Sequence, residues 1–254
     1  TLRLLESVIH NENPFLFTRY GDGEIWILCN TLSDGRYMSM RRCGLHFSGL
    51  DEYRVINDTL RDDLQKCLIN SDIVGILDPN GDNGFTMGYN EGMYSIPMDV
   101  VRGLVGDRDL VITDHLICRS VELGNPYELK KILKGIPIHI ITPNVTTLRN
   151  NRIDEVLECK ITYTFINYPI VANGNTTSSR ELRNELYYER EKIVRFLDEI
   201  KEDVVLFGLS GIGKWVGLEL KKRNKVALDF GSTLDAWGGN KTRGSHHNNC
   251  FLKR

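Results

Sequence analysis

VVLFGLSGIGKWVG, residues 204–217, is the stretch that decides the fold. Four apolar residues in a row, Val204-Val205-Leu206-Phe207, read as a strand buried on both faces, because a strand with one wet face would alternate apolar with polar side chains. The glycines at 208, 211, 213 and 217 mark a tight turn into a helix, which the pattern starts near Gly213. A second apolar run, Val226-Ala227-Leu228-Asp229-Phe230, follows the cationic helix end Lys221-Lys222-Arg223, where positive charge complements the helix dipole. Strand, turn, helix and strand in this order form a βαβ unit with two parallel strands.

The same alternation extends over the rest of the chain. Strands are predicted at Phe15–Arg19, Ile73–Leu77, Leu110–Thr113, Ile138–Ile141, Thr162–Ile166, Val204–Phe207 and Val226–Phe230, with helical spacing between them. The clearest helix runs from about Ser179 to Ile200: Ser178 and Glu181 form a capping box, and Leu182, Leu186, Ile193, Leu197 and Ile200 repeat at helical spacing. The expected fold class is α/β, a mostly parallel sheet flanked by helices. No composition shift or Pro-rich linker divides the chain, so residues 1–254 are expected to form one domain.

Composition sets the bounds on function. The chain has 254 residues, 41% of them hydrophobic, which supplies a full core. A formal charge of -2 and a pI near 6.3, with no basic stripe, argue against nucleic-acid binding. Six cysteines never pair as C-x-x-C, so they read as reduced thiols rather than a zinc ribbon or redox dithiol. No signal peptide or membrane-length apolar run is visible, and the four sequons at Asn57, Asn144, Asn175 and Asn240 would matter only in a secreted protein; a cytoplasmic location is expected.

Two stretches carry chemistry. At the first, Gly208, Ser210, Gly211 and Gly213 form a turn whose backbone N–H groups can approach an anionic ligand at a helix N-terminus. Gly208 to Lys214 has the spacing G-x-x-x-x-G-K of a P-loop, but Trp215 stands where Ser or Thr would hold Mg²⁺. Gly211-x-Gly213-x-x-x-Gly217, with Asp229 ending the next strand as a ribose-binding acid would, fits a dinucleotide fingerprint better. Tight packing accounts for such glycines equally well. Beyond this turn, Asp235 lies in a segment where an acid within reach of an attacking hydroxyl acts as a general base.

The second stretch, FTRYGDGE at residues 17–24, puts Asp22 and Glu24 just past the carboxyl end of the first strand. In an open parallel sheet that end faces the ligand crevice. Two carboxylates there suit Mg²⁺ or Mn²⁺, although an Asp-Gly turn taken alone more often only ends a strand. Other polar candidates are the turn-rich loops at residues 78–84 and 172–177, His115 as a second base, and the pair His246-His247; His10 and His139 read as ordinary helix and strand positions.

Taken together, these residues resemble the glycosyltransferases of the GT-D fold, a single-domain Rossmann-like class. Arg19-Tyr20-Gly21-Asp22-Gly23-Glu24 matches the class's R-[FY]-G-D-G-E stretch, and Ala227-Leu228-Asp229-Phe230-Gly231 with Asp235 matches its A-L-D-x-G segment followed by an acid. The middle of the chain, at Asp109–Thr113 and Ile140–Asn144, resembles its successive strand ends, so the resemblance spans nearly the whole chain. One departure stands out: where the class often places His before the second acid, this chain has Ser232 and Thr233. The resemblance implies transfer of a sugar from a nucleotide-diphosphate donor, usually a UDP-sugar, to a glycan or glycoconjugate. It further implies Mn²⁺ or Mg²⁺ held by Asp22 and Glu24, with Arg19, Tyr20, Gly21 and the Gly208–Gly213 turn around the donor and Asp229 and Asp235 completing the site. Two other readings stay open: an NAD(P)-dependent oxidoreductase built on Gly211, Gly213 and Asp229, and a non-catalytic nucleotide-sugar-binding module.

Overall fold

Among the described residues seven strands, each within one residue of its predicted span at either end, pair side by side in one parallel sheet: β1 Phe15–Tyr20, β2 Ile73–Ile76, β3 Val111–Asp114, β4 Ile138–Thr142, β5 Ile161–Phe165, β6 Val204–Phe207 and β7 Val226–Asp229. They belong to a computed structural model that describes residues 2–11, 13–20, 24, 28, 53–76, 103–106, 111–114, 126–166 and 190–238. The strand order is β3-β2-β1-β7-β6-β4-β5. Continuous apolar runs become inner strands for the reason given above: β4, β6 and β7 are buried at every position. The edge strand β5 is only half-covered, and its Phe165 is exposed.

Helices cover both faces. On one side lie α2 (Tyr53–Asn70), α6 (Arg190–Asp198) and α7 (Ser210–Lys222). Their Leu64, Leu68, Ile193, Leu197, Ile212, Val216 and Leu220 pack on Leu16, Val74, Ile141, Val205 and Ala227 of the sheet. On the other lie α1 (Leu2–Asn11), α3 (Pro126–Leu133), α4 (Val145–Asn150), α5 (Ile153–Leu157) and α8 (Ser232–Trp237), over Phe15, Phe17, Ile140, Leu206 and Leu228. Each such apolar side chain, fully buried, contributes roughly 1.5–3 kcal/mol, so the two layers can carry a costly charged cluster between them. Among the described residues no helix is long and apolar enough to cross a membrane.

Two expectations change. Helix α7 starts at Ser210, not near Gly213, so Gly211 and Gly213 belong to its first turns rather than to the turn before it. Glycine costs a helix only about 1 kcal/mol, and here its lack of a side chain is used for packing. A Cβ on Gly217 would lie 2.7 Å from the Phe207 ring and 2.9 Å from Leu16, and one on Gly213 would touch Phe207 at 3.4 Å. The helix predicted to reach Ile200 ends at Asp198, and Ile200 is buried just past its end; Ser178, Glu181, Leu182 and Leu186 lie outside the described residues.

The topology fixes where a ligand crevice falls. From β1 the chain builds outward through β2 to β3 at one edge, then fills the opposite half with β4, β5, β6 and β7. The order therefore reverses between the neighbours β1 and β7. In open parallel sheets the carboxyl ends at such a reversal form the binding crevice, and here those ends carry Arg19, Tyr20 and Asp229.

Candidate functional site

Among the described residues four charged side chains, Arg19, Glu24, Lys214 and Asp229, meet at the β1–β7 reversal. Alternation along β1 sends Leu16, Thr18 and Tyr20 toward α2 and α7, and Phe15, Phe17 and Arg19 toward α8. Tyr20 is fully buried and its hydroxyl donates to the Leu64 carbonyl of α2 at 2.8 Å; burial pushes its pKa well above the ordinary phenol value. Arg19 is anchored instead through its backbone, whose N–H donates to Asp229 Oδ2 at 3.2 Å across the strand pair.

Lys214 is the centre of the cluster. It lies in α7 between the buried Ile212 and Val216, and its ammonium donates to Asp229 Oδ2 at 2.5 Å. The same ammonium stands 3.7 Å from Glu24 Oε1 and 5.6 Å from the centroid of the Tyr20 ring, a position in which the ring face adds cation–π attraction. Lys214 and Asp229 side chains are each 4% exposed. Burial works against charge on both, yet the outcome is the reverse. The carboxylates of Asp229 and Glu24 hold the Lys214 pKa above its ordinary value, and the Lys214 and Arg19 cations hold that of Asp229 below its own. The pair is ionised, as a buried salt bridge must be to offset desolvation.

Arg19 is held differently. Its guanidinium side chain is 12% exposed, its Nε has no hydrogen-bond partner among the described residues, and its ion pair with Asp229 Oδ1 spans 3.7 Å, beyond hydrogen-bond reach. It lies directly against Gly231, where a Cβ would overlap the guanidinium. Gly231 has φ +45°, a conformation that also favours glycine. Gly208 allows the next close approach: a Cβ there would stand 2.7 Å from the Gly231 carbonyl oxygen. The two glycines thus let the β7–α8 turn settle over β6 and under Arg19.

The second acid is held from another strand. Asn144, just past the end of β4, donates its side-chain N–H to Asp235 Oδ1 at 2.5 Å, and the backbone around it is tied down by Thr147, which donates to the Asn144 carbonyl at 2.8 Å. The amide of Asn144 thus orients the Asp235 carboxylate.

Of the sequence-predicted residues, Arg19, Tyr20, Glu24, Asp229 and the turn at Gly208 converge on one end of the sheet, with Ser210, Gly211 and Gly213 opening α7 beside it. Gly21 and Asp22 lie outside the described residues, as do His115, the loops at 78–84 and 172–177, and His246-His247. Sequence reasoning passed over Lys214, noted only as the end of a failed P-loop, and Asn144, noted only as a sequon and as part of a strand end. A lysine inside the apolar segment Ile212–Val216, with an acid ending the next strand, was the available signal for the first.

The metal implied by the resemblance has a partial donor set here. Glu24 offers the carboxylate oxygen that Mg²⁺ and Mn²⁺ prefer. Asp229 does not fit as a ligand, because Oδ2 already accepts from Lys214 and from the Arg19 backbone and the side chain is buried. Among the described residues no group of three or more His, Cys, Asp or Glu is placed to hold a metal ion, so Glu24 needs Asp22 beside it.

No protein-family model matches the sequence, and no curated protein sequence matches it either. The fold does match solved structures. The chain superposes on a selenomethionine-substituted structure of domain of unknown function 1792 with a TM-score of 0.58 at 16% identity, covering 91% of this chain and 76% of that one. A structure of the same domain described as having a distinct glycosyltransferase fold gives 0.55 at 17% identity, with 91% and 76% covered. A structure described as a new glycosyltransferase of this domain type from Streptococcus sanguinis gives 0.57 at 14% identity, with 91% and 80% covered. The fold of this chain, a parallel α/β sheet flanked by helices, is therefore a glycosyltransferase fold of that kind.

Proposed function

We propose that the protein is a glycosyltransferase that moves a sugar from a nucleotide-diphosphate donor, with a UDP-sugar favoured, to a hydroxyl of a glycan or glycoconjugate. The observation that carries this reading is Arg19, a nearly buried guanidinium at the topological switch point whose Nε lacks an acceptor among the described residues. A buried donor left unsatisfied costs about 1–3 kcal/mol, and more when charged, so a site that keeps one is built for an incoming anion. Arginine suits phosphate because its planar fork pairs with two oxygens at once.

In this reading Asp22 and Glu24 hold Mn²⁺ or Mg²⁺, which when bound supplies charge stabilisation to the diphosphate leaving group. The chain's own residues do the rest. Arg19 grips a phosphate of the donor, and the uncapped N–H groups that open α7 face the same end of the sheet. Asp229 serves by holding Lys214 and the Arg19 backbone, a positioning role. Asp235, oriented by Asn144, takes the proton of the acceptor hydroxyl as that oxygen attacks the anomeric carbon and the bond to the diphosphate oxygen breaks.

The oxidoreductase alternative fares worse on one point. A dinucleotide fold needs its strand-end acid free to accept ribose hydroxyls, whereas Asp229 is buried and already engaged. Release of UDP from UDP-sugars in the presence of Mn²⁺ is the direct test, with Asp22→Ala, Glu24→Ala and Arg19→Met alongside. Turnover that survives both carboxylate substitutions would sink the proposal, and a Tm raised by NAD(H) but not by UDP would favour the alternative.

A further inference from the structure

We propose, resting on the reading above, that the cleft between β5 and the α4–α5 turn is an extended acceptor subsite, which binds a neutral sugar unit of the acceptor glycan away from its reacting hydroxyl. The cleft has a volume of about 580 Å³, and among the described residues it is lined by Arg149, Arg152, Asp154, Glu155, Thr162 and Tyr163, beside the outermost strand of the sheet. Its size falls within the roughly 300–1,000 Å³ of small-molecule sites.

The lining suits an uncharged ligand rich in hydroxyls. Two guanidinium groups and two carboxylates face it, so a charged ligand meets repulsion as well as attraction. A sugar hydroxyl donates and accepts at once, and suits both signs. Arg149 is set over the Tyr163 ring at 5.1 Å, a contact with the ring face that uses none of its five N–H donors. Burial, with the nearby Asp154, pushes Tyr163 up to about 12, so its hydroxyl keeps its proton and can donate. Arg152 pairs with Glu155 on the surface, a kind of contact that adds little to stability, and it holds φ +52°, a left-handed conformation that a side chain makes costly. The position thus bears strain that its side chain does not return to the fold, the pattern of a residue kept for a ligand.

Two elements join this cleft to the proposed base. Asn144, whose amide holds Asp235, caps the start of α4, and Arg149 lies five residues on, roughly 7–8 Å along the helix axis. The edge strand leads the same way. Ile161, Tyr163 and Phe165 alternate onto one face of β5, the face on which Ile161 and Tyr163 join the core beneath α4, α5 and α8. Phe165, at the carboxyl end, is 57% exposed and pairs in register with Thr142, two residues before Asn144. Its ring offers an apolar surface to the C–H face of a sugar. An acceptor whose terminal hydroxyl reaches Asp235 can thus lay its next units over Phe165 and into the cleft.

The experiment applies wild type, Arg149→Ala, Arg152→Gly and Phe165→Ala to an array of neutral mono- to hexasaccharides and their uronate- or sialate-bearing counterparts, and then titrates the tightest binder by calorimetry. All three positions are exposed, and glycine suits the left-handed φ of Arg152, so Tm and UDP affinity should stay near wild type. Wild type should bind at least one neutral oligosaccharide about tenfold or more tighter than its monosaccharide, and each variant should lose about tenfold of that affinity. Affinity unchanged in all three variants overturns the inference. So does an array on which no neutral oligosaccharide binds, or on which the acidic ones bind tighter. Release of UDP from UDP-sugars by the same wild-type protein tests the underlying reading separately. UDP release together with glycan binding indifferent to the cleft overturns the inference alone, whereas cleft-dependent glycan binding with neither UDP binding nor UDP release overturns the transferase reading and leaves a glycan-binding cleft.

Discussion

The ammonium of Lys214 lies 2.5 Å from the carboxylate of Asp229, an ion pair formed between a helix and the end of a neighbouring strand and closed off from solvent on both sides. Its energetics are asymmetric. Removing one partner leaves the other charge buried and alone, which costs about 3–5 kcal/mol, whereas removing both costs far less. Lys214→Met and Asp229→Asn should therefore each lower the urea unfolding free energy by roughly that amount, and the double variant should recover most of the loss. A double-mutant cycle showing additive losses would contradict the pairing.

The pH dependence of that pair follows from the two shifts. Asp229 titrates lower in the fold than in the unfolded chain, so its contribution is full above about pH 4 and is lost as the pH falls through its folded pKa. Lys214 titrates higher in the fold, so its contribution is full below about pH 10 and is lost as the pH rises through its folded pKa. The stability conferred by this pair should thus be flat across the neutral range. The difference in unfolding free energy between wild type and the double variant, followed from pH 3 to 11 by chemical denaturation, should shrink only at the two ends.

How far the sequence leads is clearest along α7. The sheet was legible because buried parallel strands are continuous apolar runs, and Val204–Phe207 and Val226–Asp229 were recovered almost to the residue. The start of α7 was not, because glycine reads as a breaker when the close contacts that call for it, Phe207 and Leu16, come from distant strands. Half of the site was legible for a similar reason: Arg19 and Asp229 sit at strand ends and Glu24 follows one by four residues, places that the pattern locates. The roles of Lys214 and Asn144 depend on partners 15 and 91 residues away, a relation that no local spacing encodes.

Buried thiols give an independent check of the core. Burial pushes Cys67 and Cys159 up to about 12, so neither forms thiolate at neutral pH. In native protein both should resist Ellman's reagent or iodoacetamide, and both should react fully in denaturant. Site-resolved mass spectrometry after a timed pulse reads this residue by residue, and rapid native labelling of Cys67 would mean that α2 does not seal the sheet beneath Tyr20.

Asn144 and Asp235 allow a test of the proposed base. If Asp235 removes the proton of the acceptor hydroxyl, Asp235→Asn should lower kcat for transfer by about 100-fold or more while leaving UDP binding near wild type. Asn144→Ala, which removes the amide that orients this carboxylate, should lower kcat by a smaller factor with KM for the donor little changed. Equal losses in donor binding and kcat would place Asp235 in the donor pocket instead.

Gly231 connects backbone conformation to ligand binding. At φ +45° an alanine is strained by about 1 kcal/mol, and its methyl group would occupy the position of the Arg19 guanidinium. The guanidinium is the flexible end of a long side chain, so it yields more easily than the backbone. Gly231→Ala should therefore cost little stability, about 1–2 kcal/mol, yet weaken UDP binding about as much as Arg19→Met does. The two substitutions should also be non-additive, because the first acts by displacing the group that the second removes. Calorimetric titration of UDP in the presence of Mn²⁺ into both single variants and the double variant decides the matter: additive losses would show that Gly231 serves the turn over Gly208 rather than the placement of Arg19.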